Sequence, residues 1–343
     1  MLSTPGARTA WSAGLARLGA ERIPAAPEVL YDLASLTKPL VTTTLFLLLR
    51  REGRVDLDTP AERILPELSG SPAGASTCGQ LLTHTSGLPA WAPLHVLTGG
   101  RKERTLEALS RLEPIGRPGG QVVYSCPGFI LLGLVLERLA GEGLAAAFGC
   151  RIAGPLGLDP RSAGFLPDPG SVPVAGGAAR PSVETGLLEE MGLGGGSIHI
   201  PPWSDGRPDD GNARFLGGAA GNAGLWGTAA AVAELAAEYI PGTARLLERD
   251  EILLATRNHT PGLEQGRGLG WQLASTEGCS AGPALPPAAF GHTGFTGTSV
   301  WIDPVREAIL VLLTNRHHPG HRGVDLHPLR RRFHALALEE AGA

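Results

Sequence analysis

Residues 37–51 constrain this chain more than any other stretch. They read Thr-Lys-Pro-Leu-Val-Thr-Thr-Thr-Leu-Phe-Leu-Leu-Leu-Arg-Arg, apolar on nearly every side once wound into a helix. Pro39 falls in the first turn, where a missing N–H costs little, and Gly53 stands beyond the end as a stop. A helix that is hydrophobic all round is a buried, central one. Its apolar run, residues 40–49, is too short to cross a bilayer, which takes about 20 residues. The spacing therefore predicts a soluble domain built around this helix.

The remaining elements are read from period and punctuation. Helices are expected over 127–140, with Gly141 as stop, and over 229–239, with Thr228 as cap and Pro241 beyond. Residues 164–227 are rich in Gly and Pro and weak in periodicity, and read as long loops. Two β-rich runs, 298–302 and 308–313, flank Asp303-Pro304-Val305-Arg306 in a hairpin pattern. A closing helix over 327–340 sets Leu329, Phe333, Leu336 and Leu338 against Arg330, Arg331 and Arg332. The sum is an α+β fold, an antiparallel sheet flanked by helices. Residues 1–60 and 225–343 form the sheet region, and 61–224 a mainly helical and loop insertion. Only 34 residues precede Ser35, and 9–22 supply one strand of that sheet.

Composition removes several function classes. Lys+Arg 29 against Asp+Glu 33 leaves a net charge of −4, with no basic field for nucleic acid. The four cysteines, Cys78, Cys126, Cys150 and Cys279, form no Cys-x-x-Cys pair, so neither a disulfide framework nor a thiolate metal site is expected. Residues 1–20 hold no apolar core of signal-peptide length. As written the chain reads as cytoplasmic, with a periplasmic or secreted protein the alternative if its N-terminus is truncated. No cofactor, metal or membrane partner is expected, and the oligomeric state stays open.

The chemistry-bearing residues lie in three separated motifs. Ser35-Leu36-Thr37-Lys38 opens the apolar helix, and a spacing of three puts Ser35 and Lys38 on one face. A serine hydroxyl needs a base, and burial lowers a lysine's pKa toward that role. Tyr124-Ser125-Cys126 precedes the second helix, and His292-Thr293-Gly294 precedes the hairpin. Taken in this order, the set resembles the active-site triplet of the serine penicillin-recognising superfamily: Ser-x-x-Lys, Tyr-x-Asn, Lys/His-Thr-Gly. Leu81-Leu82-Thr83-His84-Thr85-Ser86-Gly87-Leu88-Pro89 and Gly221-Asn222-Ala223-Gly224-Leu225-Trp226-Gly227-Thr228 also look like class C β-lactamase-related serine hydrolases.

The resemblance implies an acyl-enzyme mechanism on a small ester, lactam, amide or short peptide. Ser35 would attack, and Lys38 and Tyr124 would share the proton. His292 would support their network. The backbone N–H groups of Ser35 and Phe295 would hold the oxyanion, and Cys126, Thr293 and Gly294 would line the substrate. Two departures matter. Cys126 replaces the family's usual Asn, whose amide binds a substrate carbonyl and steadies the lysine. His292 replaces the lysine of true β-lactamases and removes a fixed positive charge. Both tilt the reading toward an esterase, with a catalytically silent cell-wall-peptide binder as the alternative. Glycine-rich 192–197 reads as a loop, and His317, His318 and His321 as an exposed cluster without metal spacing.

Overall fold

The computed structural model describes residues 1–18, 22–177, 182–193, 205–318, 324–340 and 342. Its main sheet has six antiparallel strands in the spatial order Ala7–Thr9, Leu2–Thr4, Ala308–Leu312, Ser299–Asp303, Phe290–Thr293, Gln272–Leu273. The expected hairpin is at its centre, with Asp303 opposite Ala308 across the turn. Leu2 pairs with Leu310, so the chain's first strand lies against one of its last. The N-terminal strands of this sheet come from residues 2–9. The segment 9–22, expected to supply one, instead contributes Leu15–Arg17 to a separate pair with Ile23–Pro24.

Alternation in the hairpin sorts its side chains between two cores. Val300, Ile302, Ile309 and Val311 join the main core, with the helices Thr44–Arg51, Cys126–Ala140 and Ala229–Ala237. Trp301, Ala308 and Leu310 face the other way, onto Ala337 and Leu338 of the closing helix His327–Glu340. That helix has the expected bounds but another face. Arg330, His334, Ala337 and Leu338 are buried, whereas Leu329 and Leu336 are 49% and 44% exposed. Polar partners decide the rotation. Arg330 donates to the carbonyls of Gly297 and Thr298, and the His334 ring pairs with the Ala281 carbonyl.

The central helix lies where the sequence places it, with every residue from Lys38 to Leu49 buried. Its start departs from α geometry: Lys38–Thr43 forms wider, π-type turns before Thr44–Arg51. The Pro39 carbonyl accepts the Tyr239 hydroxyl at 2.9 Å. Such widened turns often mark functional sites, and this one carries Lys38. Ser125 caps Cys126–Ala140 by accepting from Gly128 N, and Gly141 closes it in a left-handed conformation at φ +75°. The region 164–227, read as loops, also holds the helices Ser182–Glu190 and Gly211–Phe215 and the strand Leu225–Gly227. That strand sits between Tyr31–Asp32 and Ala163–Phe165 in a second sheet. All four cysteines are free, and among the described residues no helix is long and apolar enough to cross a membrane.

Candidate active site

The second sheet delivers the chain to Ser35. Tyr31–Asp32 ends at a tight turn in which Ala34 takes φ +46°, a left-handed conformation that costs a non-glycine residue about 1–3 kcal/mol. Asp32 holds the turn. Its Oδ1 accepts the Ala34 N–H at 2.9 Å and its Oδ2 the Asp209 N–H at 2.7 Å. Burial, with Asp209 nearby, pushes the Asp32 carboxyl up to about 7. Because the folded pKa is raised, Asp32's contribution to stability is full below the unfolded value and fades as pH rises through 7. Asp32→Ala strands two buried amides and should lower unfolding free energy by about 2–5 kcal/mol. The loss should be larger at pH 5 than at pH 8; chemical denaturation at both values measures it.

Lys38 lies beneath Ser35, fully buried. Its Nζ donates to Ser35 Oγ at 3.0 Å, to the Asn222 carbonyl at 2.9 Å and to Cys126 Sγ at 3.8 Å. Three acceptors suit three ammonium hydrogens. Burial pulls the Lys38 pKa down, but Cys126, Tyr124 and Asp210 outweigh it, and the net direction is upward. That direction is opposite to the lowered lysine pKa expected from burial alone. Tyr124 lies across the site with Lys38 Nζ 4.9 Å from its ring centroid. Burial raises its phenol pKa, while Lys38 and Ser35 oppose that rise. At neutral pH the resting site holds an ammonium and a phenol.

His292 faces Tyr124 at 5.8 Å between ring centroids. Its Nδ1 lies 2.9 Å from the Thr293 carbonyl oxygen, which only a donor can satisfy, so Nδ1 carries the proton. Burial, then Lys38 and Arg267, hold the ring pKa well below the ordinary histidine value. The imidazole is neutral, with a bare, buried Nε2 that has no partner among the described residues. The fixed charge missing from this motif returns from elsewhere. Arg267, 6% exposed, places its guanidinium 5.9 Å from the Tyr124 centroid and has no carboxylate partner among the described residues.

The strand end is clamped onto the nucleophile turn. Thr296 Oγ1 donates to the Asp32 carbonyl at 2.6 Å and Thr298 Oγ1 to the Leu33 carbonyl at 3.2 Å. Gly294 permits the approach, because a Cβ there would collide with Thr298 Oγ1 and lie 2.7 Å from the Leu33 oxygen. Among the described residues, the N–H groups of Ser35 and Phe295 have no acceptor. Ser35, Tyr124, Cys126, His292, Thr293, Gly294 and Phe295 all line one cavity of about 550 Å³, with Lys38 reaching it through Ser35. Cys126 is a thiol there, its pKa raised by burial.

Three contributors escaped the sequence analysis as site residues. Asn222 offers its carbonyl to Lys38, on a backbone drawn close to the helix Cys126–Ala140 because Gly221 and Gly133 both lack a Cβ. His84, at φ +60°, accepts the Ser125 N–H and packs 4.5 Å from the Tyr124 ring. The third is Arg267. The quoted motifs contain Asn222 and His84, so a signal existed; for Arg267 there was none. Of the histidine cluster, His317 stacks on Phe295 at 4.0 Å and His318 accepts the Leu18 N–H at 2.6 Å. His321 and residues 194–197 of the glycine-rich loop lie outside the described residues.

A serine within reach of a lysine and a tyrosine, at the junction of an antiparallel sheet and a buried helix, defines a serine hydrolase of the β-lactamase-related class. The chain belongs to the Beta-lactamase family, whose sequence profile matches residues 4–335. It is similar to an Escherichia coli (strain K12) protein named "Putative D-alanyl-D-alanine carboxypeptidase", 29% identical over 91% of this chain and 75% of that one. Among solved structures it is similar to SurE, with a TM-score of 0.72 and 26% identity over 100% of this chain and 71% of SurE. A class C β-lactamase shares the fold, with a TM-score of 0.71 and 19% identity over 98% of this chain and 89% of that one.

Proposed function

We propose that this chain hydrolyses small carboxylic esters and short amides through an acyl intermediate on Ser35, favouring esters over lactams. The observation that carries the reading is the 3.0 Å contact between Lys38 Nζ and Ser35 Oγ, in a cavity shared with Tyr124 and His292. Ser35 Oγ forms a bond to the acyl carbon as its proton passes to the Tyr124 oxygen and, in the same movement, the phenol's own proton passes to the leaving oxygen or nitrogen. The bond from the acyl carbon to that protonated atom then breaks, and the leaving group departs as an alcohol or amine with Tyr124 a neutral phenol before and after. Lys38 keeps its charge throughout and stabilises the negative charge that builds on Ser35 Oγ as its proton leaves. The N–H groups of Ser35 and Phe295 receive the developing oxyanion. Water then repeats the sequence in reverse, releasing the acid and restoring Ser35.

The ester preference rests on Cys126. A thiol is a weak hydrogen-bond partner for a substrate amide, and here it accepts from Lys38 instead. The name of the Escherichia coli relative supports including short peptides among the amides. A panel of p-nitrophenyl esters, nitrocefin and D-amino-acid peptides, assayed side by side, tests the reading; lactam turnover exceeding ester turnover refutes the preference. Cys126→Asn should raise the amide-to-ester or lactam-to-ester ratio by about tenfold, the worth of one charge-free hydrogen bond. An unchanged ratio removes the argument from Cys126.

A further inference from the structure

We infer that the acyl group accepted at this site carries a free ammonium, held by Glu184 and Asp210 in the wall of the catalytic cavity. Which part of the substrate is meant rests on the acyl-Ser35 reading above. Both carboxyl groups line the same cavity as Ser35. Glu184 is only 9% exposed, its Oε1 accepts the Gly211 N–H at 2.6 Å, and its Oε2 is buried without a partner. Asp210 accepts Ala213 N–H on Oδ1 and Asn222 Nδ2 at 3.1 Å on Oδ2, which leaves acceptor sites over.

The place is built to hold these acids. A Cβ at Gly211 would collide with the Glu184 carboxyl, so only glycine leaves it room. Among the described residues neither acid forms an ion pair. Arg214 is near enough to act on Glu184, but its Nη1 is committed to the carbonyls of Pro208 and Asp209. Burial, then Asp210, push the Glu184 carboxyl up to about 8, with Arg214 opposing that rise. A cation placed between the two would bring the Glu184 carboxyl back down. Among the described residues no group of three or more His, Cys, Asp or Glu is arranged to hold a metal ion, and the cation inferred here is the ammonium of a substrate.

Two contacts tie this wall to the Ser35–Lys38 pair and to Cys126, the position whose Asn, in the family the chain resembles, receives a substrate amide. Asp210 meets Asn222 through the side chain, and the Asn222 carbonyl takes Lys38 Nζ, which in turn meets Ser35. Asp210 also lies close enough to Cys126 to raise its pKa. At that position the chain offers a thiol instead of an amide. An N-acylated substrate would find nothing there to receive its amide, whereas an unblocked amine would find two carboxyl groups. The substrate class is therefore an α-amino acid ester or a short peptide with a free amino terminus.

Calorimetry on Ser35→Ala, with alanine amide and N-acetylalanine amide of each hand as probes, tests this without turnover. The free amine of one hand should bind at least about tenfold more tightly than its acetylated form, as one charge-assisted hydrogen bond provides. Glu184→Gln and Asp210→Asn in that background should each shrink the preference. Equal binding, tighter binding of the acetylated amide, or a preference that survives both substitutions overturns the inference. Wild-type and Ser35→Ala protein are then compared on alanine methyl ester. Equal hydrolysis by both overturns the acyl-serine reading and leaves the binding result standing on its own.

Discussion

Ser35→Ala should lower ester turnover by about 10⁶, the loss seen when a serine nucleophile that works as a unit with its proton carriers is removed. The size follows from geometry. Lys38 Nζ, 3.0 Å from Ser35 Oγ, is fully buried beneath it. Residual hydrolysis by the variant would come only from water in the cavity, acting on a carbonyl still polarised by the two backbone N–H groups of the oxyanion site. A fluorophosphonate should add its mass to one wild-type peptide, the one containing Ser35. A label elsewhere, or full turnover by the variant, refutes the assignment. Bound ligand with no hydrolysis above the Ser35→Ala level would instead mark the chain as a binder.

The second large effect belongs to a residue with no side chain. Gly294→Ala should cut kcat by about 10²–10³, the usual loss on removing one oxyanion donor. The added methyl must push the strand end away from the Leu33 carbonyl and from Thr298 Oγ1. Phe295 N–H follows directly in sequence and moves with it. Lys38 and Tyr124 hang on other segments, and labelling reports whether Ser35, on the turn that Gly294 abuts, stays reactive. The test is a comparison of kcat with fluorophosphonate labelling. Slow turnover with Ser35 still labelled supports the oxyanion role of Phe295. Turnover within about threefold of wild type, well short of the loss of one such donor, refutes it.

Much of this site was legible because its chemistry is encoded locally. Ser35 and Lys38 meet because a spacing of three survives even the tight and widened turns that replace a regular helix. The hairpin follows from two β-branched runs around a turn, and the Cys126–Ala140 helix from Ser125, Pro127 and Gly141. What stayed hidden depends on contacts between distant segments. The direction of the Lys38 pKa is set by Cys126, Tyr124 and Asp210, which no periodicity brings to it. Arg267 supplies the charge that His292 lacks from a stretch without motif or period. The closing helix turns Leu329 and Leu336 outward because Arg330 and His334 find backbone carbonyls, and hydropathy alone does not register such partners.

The pairing of Leu2 with Leu310 has a consequence for how the molecule comes into being. A strand at the beginning of the chain must await a partner synthesised 308 positions later, for 310 less 2 is 308. At ribosomal speeds of about 5–20 residues per second, that interval is about 15–60 s. The central helix and its neighbours emerge long before it ends, so the nascent chain carries its nucleophile on an unfinished scaffold. The hairpin brings His292, Gly294 and Phe295 to the Ser35 turn, so the proposed oxyanion site can be complete only after residues 290–312 have been synthesised.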